Sequence, residues 1–431
     1  MDWQTGLVRN IKMHEFKYKN SKLYCENILV ERLAKTYGTP LYVYSYATLE
    51  DHFVKLRNAF APLNPLICYS VKANSNLAIL KALVNIGAGL DIVSGGELSR
   101  ALAVGCPAEK IVYASVGKTD PEIARAISKG ILFFNVESLP ELVNINRIAK
   151  SLNKVTQVAI RINPDVEAKT HKFITTGKIT NKFGIDLNSA YKILLMRSSF
   201  KYVRICGLHI HIGSQITQGE PFVAAIKKVS NFINKIRIKG VGLEYLNIGG
   251  GLGIIYDNEN PQSAQIYADR ITPLLKKTGL KIIMEPGRFI VGNAGILITK
   301  VLYIKKTPKK KFIIVDAGMN DLIRPALYGA YHNVVPVRKI SQTEKADVVG
   351  PICESGDFLA KARKIAKVKV GDYLAVMSAG AYGFSMSSNY NSRLRALEVM
   401  VAKDKVFVIR KRESYEDLTR NEVIPSYLTK R

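Results

Sequence analysis

The chain has 431 residues, more than one hydrophobic core ordinarily organises, so two domains are expected. Hydrophobic residues make up 47% and charged residues 23%, which excludes an intrinsically disordered chain and predicts a globular one. The net charge of +28 comes from 63 Lys and Arg against 35 Asp and Glu, but only residues 305–311 and 410–412 cluster, without interleaved aromatics; the basicity reads as a surface property, with no nucleic acid as partner.

The amino terminus, MDWQTGLVRN, carries an acid at Asp2 and no apolar run, and charges or glycine break every later apolar run well short of a membrane span. No export or membrane segment is expected. The five cysteines, Cys25, Cys68, Cys106, Cys206 and Cys353, are odd in number and form no CxxC pair, which suits reduced thiols in a cytoplasm. Gly38-Thr39-Pro40 then interrupts the chain.

From about residue 66 to 288, short β-branched runs alternate with longer amphipathic stretches, the pattern of repeated strand and helix units. The runs are Leu66 to Ser70, Leu90 to Val93, Ile111 to Ala114, Ile131 to Val136, Val155 to Ile162, Ile205 to Ile212, Tyr245 to Ile248 and Lys281 to Met284. Eight runs predict a (β/α)8 barrel of the TIM type over residues 37–288, whose catalytic groups sit at the C-terminal ends of the strands. Polar residues punctuate those ends. Lys72 and Asn74 follow the first run, Asp91 and Ser94 lie in or just after the second, Lys118 trails the third, and Glu137 and Ser138 follow the fourth. Arg161 and Asn163 close the fifth, His211 and Ser214 end the sixth, Gly249 to Gly251 end the seventh, and Glu285 with Arg288 ends the eighth. All are expected to converge on one pocket. Beyond about residue 290 strand-like runs dominate: Ile296 to Lys305, Phe312 to Val315, Val334 to Val337, Tyr373 to Met377, Glu398 to Val401 and Val406 to Ile409. Residues 289–431, with 1–36, are therefore expected to form a second, β-rich domain.

Taken singly, the polar residues leave two readings each. Lys72 ends an apolar strand; burial there would favour the free amine, which condenses with an aldehyde, whereas a lysine snorkelling at the barrel rim needs no function. Gly249-Gly250-Gly251, followed by Gly253, offers successive N–H groups to a phosphate, or makes a tight turn. Glu285 and Arg288 either close the barrel as an ion pair, or set a carboxylate against a pyridine nitrogen and a guanidinium against a phosphate or a substrate carboxylate. His209 and His211 share one side of their strand. His211 can stack on a planar cofactor and Ser214 can donate to a phosphate oxygen, while His209 reads as a core residue; no carboxylate or cysteine stands near enough to suggest a metal. Cys353-Glu354-Ser355-Gly356-Asp357 sets a thiol beside two acids, which suits proton transfer, although a lone cysteine is ordinarily a small buried hydrophobe. Arg324, Tyr328 and Tyr382 alone read as surface or interface residues.

Together, YSVKAN, HIHIGSQ, NIGGGLG, EPGRFIVGNAG, IRPALYGAYH, GPICESGD and GAYGFSMSSNYN, in this order from about residue 40 to 400, resemble the diaminopimelate decarboxylase family. The resemblance implies a pyridoxal-phosphate-dependent carboxy-lyase with an alanine-racemase-like (fold type III) barrel and a C-terminal β domain. It implies a cytoplasmic homodimer with shared active sites, converting meso-2,6-diaminopimelate to L-lysine and carbon dioxide in the last step of lysine biosynthesis. Lys72 would carry pyridoxal 5'-phosphate as a Schiff base, His211 would stack on its ring and Glu285 would partner the pyridine nitrogen. Ser214, Gly251 and the turn with Gly287 and Arg288 would surround the phosphate. Arg288, Arg324 and Tyr328 would hold substrate carboxylate. From the second subunit would come Cys353 as proton donor and Glu354 facing the distal amino group, with Tyr382 touching cofactor or substrate. One departure stands out: the third strand ends in SVGKT, where the family often has Gly-Pro or Gly-Asn before the lysine, and Lys118 is given no role.

Ornithine, arginine and carboxynorspermidine decarboxylases are the alternative, since the barrel motifs do not separate them. The substrate reading rests on IRPALYGAYH and CES: Arg324 offers a cation to a second carboxylate, and Glu354 suits a distal ammonium. A racemase on the same barrel would place an arginine at the pyridine nitrogen, and a non-enzymatic pyridoxal-phosphate carrier would need no β domain; Glu285 argues against the first and Cys353 against the second.

Overall fold

The computed structural model describes residues 14–166 and 182–429 of the chain, so the amino-terminal decapeptide discussed above lies outside the described residues. The chain divides into two compact units, Leu49–Gly292 and Met1–Thr48 with Asn293–Arg431.

The unit Leu49–Gly292 is a closed barrel of eight parallel strands. They are Leu66–Ser70, Gly89–Ile92, Ile111–Ala114, Phe133–Val136, Thr156–Arg161, Val203–His209, Tyr245–Asn247 and Lys281–Met284, and the last closes on the first through Ile283 beside Leu66 and Met284 beside Ile67. Strands covered on both faces need apolar side chains on both, which is why Ile111–Ala114, buried at every position, reads as a continuous apolar run, and Phe133–Val136, equally buried, is broken only by Asn135. Cys68, Val112, Leu132, Phe133, Ala159, Cys206 and Ile283 pack together as one cluster. The barrel is thus a filled core with chemistry confined to its rim.

Helices return the chain between strands, and their open N–H groups claim nearby polar side chains. Ser94 and Ser138 accept the N–H groups of Glu97 and Glu141 at 3.2 Å each, and Thr119 with Glu122 forms a capping box. This corrects the expectation that every polar strand-end residue faces the pocket. A hydroxyl that follows a barrel strand by two residues also precedes a helix, and Ser94 and Ser138 serve as caps.

The other unit holds a nine-stranded sheet whose path runs Phe358–Ala366, Thr343–Val349, Lys311–Val315, Gly295–Lys306, Leu41–Ser45, Leu397–Ala402 and Lys405–Arg410; Tyr373–Val376 pairs with both Gly295–Lys306 and Val334–Pro336. Phe16–Lys19, Lys22–Cys25 and Ile28–Leu29 make a small antiparallel sheet. Leu41–Ser45 falls on the barrel side of the expected boundary at residue 37, yet it hydrogen-bonds antiparallel to Gly295–Lys306 and parallel to Leu397–Ala402. All five of its residues are buried; an apolar run identifies a strand but not the sheet that takes it. Thr343–Val349 and Phe358–Ala366 were not anticipated, because the lysines and alanines of TEKADVV and FLAKARKIA obscure the strand pattern. Leu33, Leu41, Val43, Ile296, Ile298 and Val399 lie in one buried cluster of this unit, each side chain contributing ~1.5–3 kcal/mol through burial. The cysteines form no disulfide; Cys353 is exposed and the other four are buried. Among the described residues no helix is long and apolar enough to cross a membrane.

Candidate active site

The first barrel strand runs into a short turn, Val71–Ala73, that presents Lys72 at the rim. Its side chain is 41% exposed, where the strand-end position suggested burial, and its Nζ lies 3.3 Å from Asp91 Oδ2. Asp91, at the end of the second strand, is fully buried and also accepts from Ser70 Oγ at 2.6 Å. Burial pushes its carboxyl up to about 6, the charge of Glu285 adds to that, and Lys72 and Ser70 oppose it.

Glu285 follows the eighth strand and is held from three others. Asn135 Nδ2 and Asn247 Nδ2 donate to Oε1 at 2.9 and 2.6 Å, and His209 Nε2 lies 3.2 Å from Oε2. Burial by itself would raise this carboxyl, but His209, Lys72 and Asn247 outweigh it and hold Glu285 well below the usual carboxylate range. Glu285 is therefore ionised at neutral pH in an almost dry site. His209, read from the sequence as a core histidine, is indeed only 1% exposed, but it is a partner of that carboxylate.

His211 lies past the end of its strand, where its Nδ1 accepts the N–H of Gly250 at 3.2 Å. Burial keeps its imidazole neutral, and the positive charges of Arg161 and Lys72 reinforce that. The Gly249–Gly251 turn differs from a simple row of open N–H groups. Asn247 Oδ1 takes the N–H of Gly249 at 2.9 Å and His211 takes that of Gly250, so among the described residues only Gly251 of the three keeps an unengaged N–H. Glycine is required here by close approach: a Cβ on Gly250 would stand 2.2 Å from the Glu285 carbonyl oxygen, and one on Gly251, whose φ is +111°, 2.6 Å from that of Gly213.

The turn Glu285–Arg288 is tied to the first strand by the Ser70 N–H, which donates to Pro286 O at 3.0 Å; Gly287 then precedes the short helix Arg288–Val291. Arg288 donates through Nη1 to Tyr256 Oη at 2.6 Å and through Nη2 to Ser214 Oγ at 3.3 Å. Buried ion pairs stiffen the rim beside these groups. Arg161 meets Glu137 at 2.5 Å, and Lys118 Nζ reaches Glu141 at 2.6 Å and the Ser115 and Asn135 carbonyls at 2.9 Å each.

Lys72, His211, Ser214, Gly251, Glu285, Gly287 and Arg288 all belong to the barrel unit, whereas Cys353, Glu354, Arg324, Tyr328 and Tyr382 belong to the other. Arg324 opens the helix Arg324–Tyr328, and its Nη1 is 2.8 Å from His332 Nε2, whose Nδ1 lies 2.9 Å from Met377 O. Tyr382 has a left-handed backbone, with φ of +56°. The Cys353 N–H donates to Asn391 Oδ1 at 2.8 Å, while a hydrogen bond to Glu354 raises the Tyr390 phenol. Of the two acids beside Cys353, Asp357 is a loop staple: buried, it accepts the N–H groups of Ile352 and Met319 at 2.6 Å each. Asn135 and Tyr256 lie outside the motifs read from the sequence, and Asn247 and His332 lie inside NIGGGLG and IRPALYGAYH without an assigned role. The available signal was an asparagine standing alone in an apolar barrel strand, as in FFNV and YLN.

The family described as "Pyridoxal-dependent decarboxylase, pyridoxal binding domain" matches residues 46–292. A diaminopimelate decarboxylase of Aquifex aeolicus (strain VF5) is 51% identical over 402 residues, covering 93% of this chain and 95% of its own. Among solved structures, diaminopimelate decarboxylase from Helicobacter pylori complexed with L-lysine has a TM-score of 0.88 at 44% identity, covering 91% of this chain and 99% of that one. The enzyme of the same name from M. jannaschii, in co-complex with L-lysine, has a TM-score of 0.92 at 40% identity, covering 96% and 99%.

Proposed function

Because the chain belongs to the pyridoxal-dependent decarboxylases, and among them to the diaminopimelate decarboxylases, we propose that the rim around Lys72 holds pyridoxal 5'-phosphate. The chain is a carboxy-lyase that converts meso-2,6-diaminopimelate to L-lysine and carbon dioxide, the closing step of lysine biosynthesis. The observation that carries the cofactor reading is Glu285, an ionised carboxylate in an almost dry site, held by two amides and an imidazole. A buried carboxylate of this kind suits a protonated ring nitrogen, and a glycine turn too tight for any Cβ suits a close-lying phosphate.

Lys72 would anchor the cofactor. Gly251, Ser214, Gly287 and Arg288 would hold its phosphate, and the neutral imidazole of His211 would stack on its pyridine ring. When bound, the group supplies an electron sink for the pair left behind as carbon dioxide departs. Glu285 keeps the proton on the ring nitrogen's side by staying ionised itself. Arg288, Arg324 and Tyr328 bind substrate carboxylate, Glu354 takes the distal ammonium, and Tyr382 touches cofactor or substrate. Cys353 or Lys72 would deliver to Cα the one proton that replaces the departing carboxylate. Cys353 and Glu354 serve from the partner subunit of a homodimer in the cytoplasm.

Carbon dioxide release from meso-diaminopimelate, ornithine, arginine, lysine and carboxynorspermidine by the cofactor-loaded protein tests the substrate. Turnover of diaminopimelate should exceed the others by at least about a hundredfold, since unpaired buried charges reject analogues lacking the second carboxylate. Turnover of another compound in its absence overturns the assignment.

A further inference from the structure

Glu285 meets its neighbours unevenly. Oε1 accepts from Asn135 Nδ2 at 2.9 Å and from Asn247 Nδ2 at 2.6 Å, which fills both lone pairs of that oxygen. Among the described residues Oε2 has a single hydrogen-bond partner, His209 Nε2 at 3.2 Å. His209 is 1% exposed, and its Nδ1 meets no partner among the described residues. An ionised carboxylate only accepts, so Nε2 must bear a hydrogen. With the proton on Nδ1 instead, two lone pairs would face each other and a buried N–H would be left unmatched.

We propose that His209 is a positioning residue for the cofactor's ring nitrogen: its Nε2–H occupies one lone pair of Glu285 Oε2, the two asparagines occupy Oε1, and the second lone pair of Oε2 is left as the acceptor for the ring N–H. This rests on the reading of Glu285 as the ring nitrogen's partner. His209 also stabilises the negative charge that keeps the shared proton on the ring side. Without it, the carboxylate keeps two neutral amide donors but loses a donor on the oxygen that matters, and the proton moves toward Glu285. The electron sink then weakens while every group assigned to phosphate and substrate carboxylate stays in place.

The test uses the full chain reconstituted with pyridoxal phosphate carrying 15N in its ring, which reports the proton on that nitrogen independently of turnover. In the wild type the nitrogen should be protonated at neutral pH. In His209→Phe and His209→Leu it should lose its proton at lower pH, with kcat reduced about tenfold and KM little changed, as expected for a supporting partner of a reacting group. His209→Gln keeps an N–H donor and should restore most of both. A ring nitrogen that stays protonated in the apolar variants, while Glu285→Gln deprotonates it, overturns the role of His209 and leaves that of Glu285 standing. No change in Glu285→Gln overturns the reading of Glu285 itself. If the apolar variants fail to fold, 15N-histidine spectra of the wild type decide: a His209 with hydrogen on Nδ1 and a bare Nε2 sinks the proposal.

Discussion

Asp91 and Glu285 are two carboxylates of one barrel rim that their surroundings drive apart: burial lifts Asp91 to about 6, whereas donors and nearby positive charge hold Glu285 low. Such a split assigns roles, since one group titrates near physiological pH and the other stays charged. The raised value has a stability consequence with a definite sign. Asp91 moves from 3.8 in the unfolded chain to about 6 in the folded one, so its favourable contribution is complete below about pH 4 and is lost as pH rises through 6. Asp91→Asn removes that loss, and the variant should be more stable than the parent at pH 8 by about 2–3 kcal/mol, with no difference near pH 4. Urea unfolding at the two pH values checks this; a variant that is less stable at pH 8 would mean that the contact with Lys72 outweighs burial. At this scale the sequence was most informative where several residues form one motif, as in EPGR or HIHIGS. It was silent on Asn135 and Asn247, because a lone amide in an apolar strand does not say which carboxylate it meets across the barrel.

The turn Gly249–Gly251 joins the seventh strand to the pocket, and its role is geometric before it is chemical. Two of its N–H groups fasten it to Asn247 and His211, and the Glu285 N–H donates back to Gly249 O at 2.8 Å. Gly250→Ala sets a methyl group 2.2 Å from the Glu285 carbonyl, a backbone atom of a barrel strand's end that cannot yield cheaply. The variant should lose about 1–3 kcal/mol by denaturant unfolding, and its cofactor affinity should fall with it, because the displaced segment carries Glu285. An unchanged midpoint would show that the turn shifts freely. Element boundaries were legible to within three residues in the barrel: Leu66–Ser70, Ile111–Ala114 and Lys281–Met284 match their apolar runs, while the sixth strand, Val203–His209, ends three residues before its run does. Thr343–Val349 and Phe358–Ala366 were not, since their lysines lie in contiguous exposed or half-exposed stretches, Thr343–Lys345 and Lys361–Lys364, instead of alternating with apolar residues.

For the molecule as a whole, Cys353 and Lys72 belong to different compact units, and Cys353 is exposed. If its thiol serves the partner's site, Lys72→Ala and Cys353→Ala homodimers, each inactive, should recover activity when mixed and allowed to exchange, through mixed dimers with one intact site. Absence of recovery, with exchange verified by differently tagged subunits, would place Cys353 in its own subunit's chemistry or outside it. The alternation of strand and helix was enough by itself to specify a barrel, because covering both faces of a parallel sheet forces continuous apolar runs at regular intervals. Several motifs in one order were enough to specify the family. Only the tertiary structure decided that Ser94 and Ser138 cap helices, that Leu41–Ser45 joins the large sheet, and that Lys72 stays exposed beside a buried Asp91. It alone assembled the cluster of Glu285, Asn135, Asn247 and His209, for a physical reason: hydrogen bonds between strand ends as many as 150 positions apart depend on how the barrel closes, and no local pattern encodes that closure.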